Sequence, residues 1–263
     1  MADDPPFDTG VPHSARVWNY WLGGKDNYPV DQEAGDKYRA VFPGIVDVAR
    51  AARHFLARAV RHLAGEVAIW QFLDVGTGLP TVDNTHELAQ RVAPESRVVY
   101  VDNDPLVLLH ARALLTSTPQ GATDYVDADM RDPDAILAAA SRTLDLSRPT
   151  ALTMIGVLGH VEDHAEARSI VGRLMAALPS GSHLALADSV VTDASHRAAA
   201  DGYTSTGAVP YLLRTPEEIA AYFDGLEVLE PGVVPISRWR PEPSPFGSPP
   251  AAEGTLGGVA RKR

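Results

Sequence analysis

The sequence predicts an α/β fold built on a mostly parallel sheet, and three observations carry that expectation. Apolar strand-like runs alternate with helical patterns five times in succession, as in parallel sheets joined by crossover helices. The first such strand, Phe72-Leu73-Asp74-Val75, ends in Asp-x-Gly-x-Gly (Asp74 to Gly78) and leads into the helical stretch Thr85 to Val92. That turn gathers backbone N–H groups, glycine clearance and a carboxylate at the sheet's C-terminal edge, where open α/β sheets bind ligands. Finally, 263 residues with 45% hydrophobic and 22% charged side chains suit one domain with a full core. No internal repeat or second-domain boundary interrupts it.

Taken in order, residues 1–13 read as a disordered lead-in. Ser14 is expected to cap a short helix, Ala15 to Leu22, which Gly23-Gly24 end. Val46 to Leu63 has helical periodicity, with Ala52, Phe55, Leu56, Ala59, Val60 and Leu63 on one face. Arg50, Arg53, Arg58 and Arg61 lie on the other and are expected to be solvated. Residues 14–65 thus form an N-terminal helical cap and 66–263 the core.

In the core, further strands are predicted at Arg97 to Val101, Thr123 to Ala128, Thr150 to Val157 and His183 to Asp188. Helices intervene at Pro105 to Leu115, Pro133 to Ala140 (after Asp132) and Asp163 to Leu178. Ala194 to Ala200 is helical in pattern, and Thr215-Pro216-Glu217-Glu218 opens another helix to Phe223. Leu226 to Leu229 resumes strand character. Pro241, Pro243, Pro245, Pro249 and Pro250 make the next stretch a loop. Gly257 to Arg261 is expected to close a hairpin with Val234 to Trp239.

Composition narrows the function. A net charge of −11 argues against a general nucleic-acid or anionic-membrane surface, and no apolar run reaches bilayer-spanning length. With no cysteine, disulfides and thiolate nucleophiles are excluded. The acidic N-terminus lacks the pattern of a signal peptide, so a cytoplasmic protein is expected.

Each early strand ends in a polar group: Asp74, then Asp102-Asn103-Asp104, then Asp127-Ala128-Asp129-Met130. Any one of these acids serves equally well as a turn former or helix cap. Three at successive strand ends line one crevice. There Asp102 can accept both hydroxyls of a ribose, while Asp129 and Met130 offer an acceptor for an exocyclic amine and a surface for a purine. Between residues 100 and 134 seven aspartates face Arg112 and Arg131, a field that suits a cationic ligand better than a pyrophosphate.

These motifs resemble the cofactor sites of class I S-adenosylmethionine-dependent methyltransferases. More narrowly, Ala15 to Tyr28 with its Leu22-Gly23-Gly24-Lys25-Asp26-Asn27 run, Phe72 to Pro80 with Asn84-Thr85-His86, and Val99 to Pro105 resemble an actinobacterial S-adenosyl methyltransferase family formerly catalogued as a domain of unknown function. The resemblance runs from about Ser14 to the end. It implies a Rossmann-like, mostly parallel seven-stranded sheet with helices on both faces, an N-terminal helical lid, and S-adenosyl-L-methionine as cofactor.

On that resemblance the cofactor-binding residues are expected to be Asp74, Gly76, Gly78, Asp102, Asn103, Asp129, Met130 and Gly156, joined by a lid of Tyr20, Gly24, Lys25, Asn27 and Tyr28. Tyr20 or Tyr28 would meet the adenine or the methyl, and Lys25 the cofactor carboxylate; the alternative is a helix that merely packs its Trp residues on the domain. His160 is the candidate general base, one residue later than related sequences place a histidine, because Gly159 intervenes. The expected acceptor is a small molecule, and its identity stays open. No metal is expected: His160 and His164 are four apart, but Asp163 reads as a helix cap. A non-catalytic S-adenosylmethionine-binding protein and a nicotinamide-dependent oxidoreductase are the alternatives. Against the latter stand Asp74 and Thr81 in place of a third glycine.

Overall fold

The computed structural model describes residues 8–81, 83–114, 116–242 and 254–263. The start of the expected lead-in, residues 1–7, and Pro243, Pro245, Pro249 and Pro250 of the expected loop lie outside the described residues.

Three helices precede the sheet: α1 (Ser14–Trp21), α2 (Pro29–Val41) and α3 (Ile45–Gly65). His13 rather than Ser14 caps α1, accepting from the Ala15 N–H. α2 goes beyond the helices that hydrophobic periodicity predicts, because it buries only Asp31, Ala34, Gly35 and Tyr38. Its start is nevertheless marked by Pro29 in the first turn and by Asp31, whose Oδ2 accepts the Tyr28 N–H at 2.8 Å. Arg16 pairs with Asp31 at 3.1 Å, both buried, and fastens α1 to α2. Removing either partner would strand the other charge. The same guanidinium takes the carbonyls of Asp8 and Val11, so residues 8–13, expected within the disordered lead-in, are tied to the cap instead.

The core continues with β1 (Gln71–Val75), α4 (Thr85–Val92), β2 (Arg97–Asp102), α5 (Pro105–Leu114), β3 (Ala122–Asp127), α6 (Pro133–Ala140), β4 (Ala151–Ile155), α7 (His164–Ala177) and β5 (His183–Ser189). α8 (Ala194–Thr204), α9 (Pro216–Ala220), β6 (Glu227–Val228), β7 (Val234–Pro235) and β8 (Thr255–Arg261) complete it. The sheet order is β3-β2-β1-β4-β5-β8-β6. The first five strands pair in parallel, and β8 runs antiparallel to β5 and β6. This is the Rossmann-like arrangement expected, with seven strands along the path and the two-residue β7 added beside β8.

Alternation along the strands explains the two layers. Leu73, Val99, Leu152 and Leu184 point to one face, covered by Ile136 of α6 and Ile170 and Leu174 of α7. Phe72, Val98, Ala151 and Ala185 point to the other, where Phe55 and Leu63 of α3 and Leu88 of α4 pack. The expected C-terminal hairpin forms only at Val234 and Pro235. Beyond them Arg58 donates to the Ile236 and Trp239 carbonyls at 2.6 and 2.9 Å, satisfying groups a longer ladder would have used. Among the described residues no helix is long and apolar enough to cross a membrane.

Candidate active site

A cavity of about 250 Å³ lies at the C-terminal edge of the parallel strands, and α1, α3 and α8 contribute to its walls. Asp74, Gly76, Gly78, Asp102, Asn103, Met130, Gly156 and His160 all line it. The Gly turn is held open by geometry. Gly76 has φ +74°, and a Cβ there would sit 2.3 Å from Val157 Cγ2, so only glycine lets β1 turn beside the end of β4. Gly156 turns likewise at φ +69°, which ends β4 two residues before the expected Val157.

Asp74 is buried, and its oxygens accept the hydroxyls of Thr153 at 2.7 Å and Thr85 at 2.6 Å. Burial pushes its pKa up, opposed by the two threonine hydroxyls and by the charge of Arg53. Arg53 donates to the Asp83 carbonyl at 3.0 Å and lines the cavity. The sequence reading placed it on a solvated face. The detectable signal was its position, next to Ala52 and three residues before Leu56, at the margin of the apolar stripe.

Asp102 clasps the turn from the neighbouring strand: its Oδ2 accepts the Gly78 N–H at 2.9 Å and its Oδ1 the Asp104 N–H at 3.0 Å. Burial raises its pKa against those two bonds. Each oxygen keeps lone-pair capacity for a further donor. Asp129 stands outside the lining, where its Oδ1 accepts the Arg131 N–H at 2.8 Å. Ala128 and Met130 supply the apolar wall at that strand end.

None of Tyr20, Gly24, Lys25, Asn27 and Tyr28 lines the cavity. The Tyr20 hydroxyl donates to Asp36 at 3.0 Å, and Lys25 is exposed. Tyr28 packs with Leu79, Leu106 and Val107, under the Arg16 guanidinium at 5.5 Å. Gly24 and Asn27 act on a different residue. A Cβ at Gly24 would lie 2.3 Å from Asn19 Nδ2, while Asn19 Oδ1 accepts from Asn27 Nδ2 at 2.9 Å and the Asp26 N–H at 3.1 Å. Asn19, buried and lining the cavity, is therefore what the Gly24–Asn27 run orients.

His160 follows the end of β4. Its Nδ1 lies 2.9 Å from the Pro210 carbonyl, an acceptor only, so Nδ1 carries the proton and the neutral ring leaves Nε2 as a base. Burial, and to a lesser degree the nearby His13 and Arg131, hold its pKa below the ordinary histidine value despite the Pro210 carbonyl. Tyr211 meets the ring edge-on at 4.9 Å and also lines the cavity. Its hydroxyl donates in a short hydrogen bond to Asp188, at the end of β5. Asp188 has no exposure, and it accepts the Ser189 N–H at 2.8 Å and the Gly159 N–H at 3.1 Å. Burial raises its pKa to about 6, against these bonds and the charge of Arg214. Gly159 gives the Tyr211 ring its place, since a Cβ there would fall 2.6 Å from the ring.

The whole sequence, residues 2–263, matches a profile described as S-adenosyl methyltransferase. The chain belongs to this family. It is an S-adenosylmethionine-dependent methyltransferase. A crystal structure of a DUF574 family protein from Streptomyces avermitilis is similar to it, with 48% identity over 97% of this chain and 99% of that one, at TM-score 0.92. A candidate methyltransferase from Thermobifida fusca is 42% identical over the full length of both chains, at TM-score 0.89. The plantazolicin methyltransferase BpumL, solved with a triazolic desmethylPZN analogue and SAH, shares the fold at 11% identity and TM-score 0.54, covering 95% of this chain and 96% of that one. Among curated proteins none matches this chain. Asn19, Arg53 and Tyr211 of the methyltransferase line this cavity, with Asp188 behind Tyr211, and no sequence motif marks these four as site residues.

Proposed function

We propose that the enzyme methylates a small-molecule acceptor by direct displacement, with donor and acceptor held in the one cavity at the sheet edge. The observation that carries this reading is the pair of carboxylates, Asp74 and Asp102, flanking a Gly turn whose Gly78 has open space where a Cβ would stand. The donor set fits S-adenosylmethionine. Asp102 accepts from the ribose, Asp74 takes the ammonium directly or through water, and Met130 with Ala128 borders the adenine. Arg53, rather than the exposed Lys25, serves the cofactor carboxylate, because it lines the cavity and its charge acts on Asp74. Asn19 closes this end, and Gly24 and Asn27 contribute by fixing its amide.

The cofactor supplies an activated methyl group, so the protein aligns acceptor and donor and excludes water. His160 receives the acceptor's proton on Nε2, and the resulting imidazolium stays hydrogen-bonded through Nδ1 to Pro210. The test compares calorimetric binding of S-adenosylhomocysteine and adenosine to the wild type and to Asp74→Ala. Affinity for the amino-acid-bearing ligand should fall about tenfold or more beyond that for adenosine, as expected when a charged hydrogen-bond partner is lost. Equal losses for both ligands would remove the assignment of Asp74.

A further inference from the structure

A second wall of the cavity takes no part in the proposed cofactor contacts. Trp18, Trp21, Leu22, Tyr38, Leu56 and Tyr203, drawn from the cap helices and α8, line it. The aromatic rings interlock, with Trp18 and Trp21 edge-on at 5.8 Å and Trp21 and Tyr38 edge-on at 5.2 Å. No Lys, Arg, Asp or Glu side chain from α1, α2 or α8 joins the lining. His160 and Tyr211, beside the end of β4, and Asn19 of α1 are among the polar groups that border this wall.

That combination selects among acceptors by charge. An anionic acceptor requires a cation to pair with, and among the described lining residues the guanidiniums are Arg53, assigned above to the cofactor carboxylate, and Arg131. Arg131 donates to the His160 carbonyl at 2.7 Å and pairs with Asp129 and Glu166, while Arg53 donates to the Asp83 carbonyl. A cationic acceptor would bring a further positive charge to a cavity lined by Arg131 that would also hold the donor's sulfonium. An apolar wall of aromatic faces and edges instead favours a flat, uncharged molecule. A base is needed only if that molecule carries a weakly acidic proton.

We infer that the acceptor is a neutral aromatic small molecule bearing a phenolic hydroxyl, seated on this wall with its hydroxyl at His160 Nε2. This rests on the methyltransferase reading of the site. In the step, the phenol O–H proton passes to His160 Nε2 and the phenol oxygen pair forms the new O–CH3 bond. The donor's C–S bond breaks with its pair left on sulfur, giving a methyl ether, a thioether and an imidazolium. Tyr211 positions the base: with its own proton committed to Asp188, its ring is held edge-on to His160 at 4.9 Å.

The experiment titrates the protein loaded with S-adenosylhomocysteine with 2-naphthol, 2-naphthoate and 2-naphthylmethylammonium, by calorimetry and by tryptophan fluorescence. 2-Naphthol should bind about tenfold tighter than either charged probe, and Tyr211→Phe should weaken it severalfold while leaving S-adenosylhomocysteine affinity unchanged. Tighter or equal binding of a charged probe, or no binding of 2-naphthol to protein that takes S-adenosylhomocysteine, overturns the acceptor inference alone. Failure to bind S-adenosylhomocysteine would instead overturn the methyltransferase reading of this cavity.

Discussion

The wall of the cavity made by strand ends and the wall made by helices are built on opposite principles. At the strand ends, polarity is dense and the carboxylates are already braced: Asp74 by two threonines, Asp102 by two backbone N–H groups and, behind the wall, Asp188 by Tyr211 and two backbone N–H groups. Bracing of this kind fixes a carboxylate's direction before a ligand arrives, which lowers the cost of binding. The helical wall is fixed by packing instead, through Trp21, Tyr38, Ala200 and Tyr203 in one apolar cluster. The contrast teaches that one side suits a ligand of constant structure, and the other sorts ligands by shape and charge.

Three substitutions break that division at different points. The largest effect is expected where the two walls meet. His160→Gln should lower turnover about 10² to 10⁴-fold, the usual worth of a general base, with S-adenosylhomocysteine affinity within about twofold of wild type on a one-site scale. A variant that loses cofactor affinity instead would place His160 on the donor side.

Next is Asp188. Its folded pKa of about 6 stands above the ordinary carboxyl value of 3.8, so its proton binds more tightly in the folded protein. Its contribution is therefore fully present below the unfolded value and is lost as pH rises through 6. Wild type should gain stability relative to Asp188→Asn as pH falls from 7 to 4, by on the order of 3 kcal/mol at about 1.4 kcal/mol per unit. Denaturant unfolding of both proteins across that range measures it. A stability difference that does not change with pH would show Asp188 to be ordinary.

The smallest effect belongs to Arg53→Met. It should weaken S-adenosylhomocysteine by roughly tenfold, in line with about 1.5–3 kcal/mol for a charged hydrogen bond, and leave adenosine unchanged. If both ligands weaken alike, Arg53 braces the loop at Asp83 and does not reach the cofactor carboxylate.

The parallel core was legible because each strand and crossover helix announces itself within a short window: Phe72 to Val75, Arg97 to Val101 and His183 to Asp188 need no distant partner to be recognised. The Asp-x-Gly-x-Gly turn and Asp102 were legible for the same reason. What stayed hidden depends on contacts across long separations. α2 has too little apolar periodicity to stand out and is secured by Arg16 from another helix. Arg53 and Arg58 read as solvated until Asp83, Ile236 and Trp239 are brought beside them. The run Leu22 to Asn27 was singled out correctly as unusual, yet its Gly24 and Asn27 touch Asn19 and not the cavity. Tyr211 and Asp188 carried no local motif at all, since 23 residues separate the two partners of their bond.

The missing side chain at Gly159 carries a consequence for how such sequences can diverge. The Tyr211 ring occupies the space a side chain at 159 would fill, and from there it reaches both His160 and Asp188. Positions 159 and 211 are therefore one steric unit: a bulkier residue at 159 must displace the Tyr211 ring, and with it the hydroxyl that bonds Asp188.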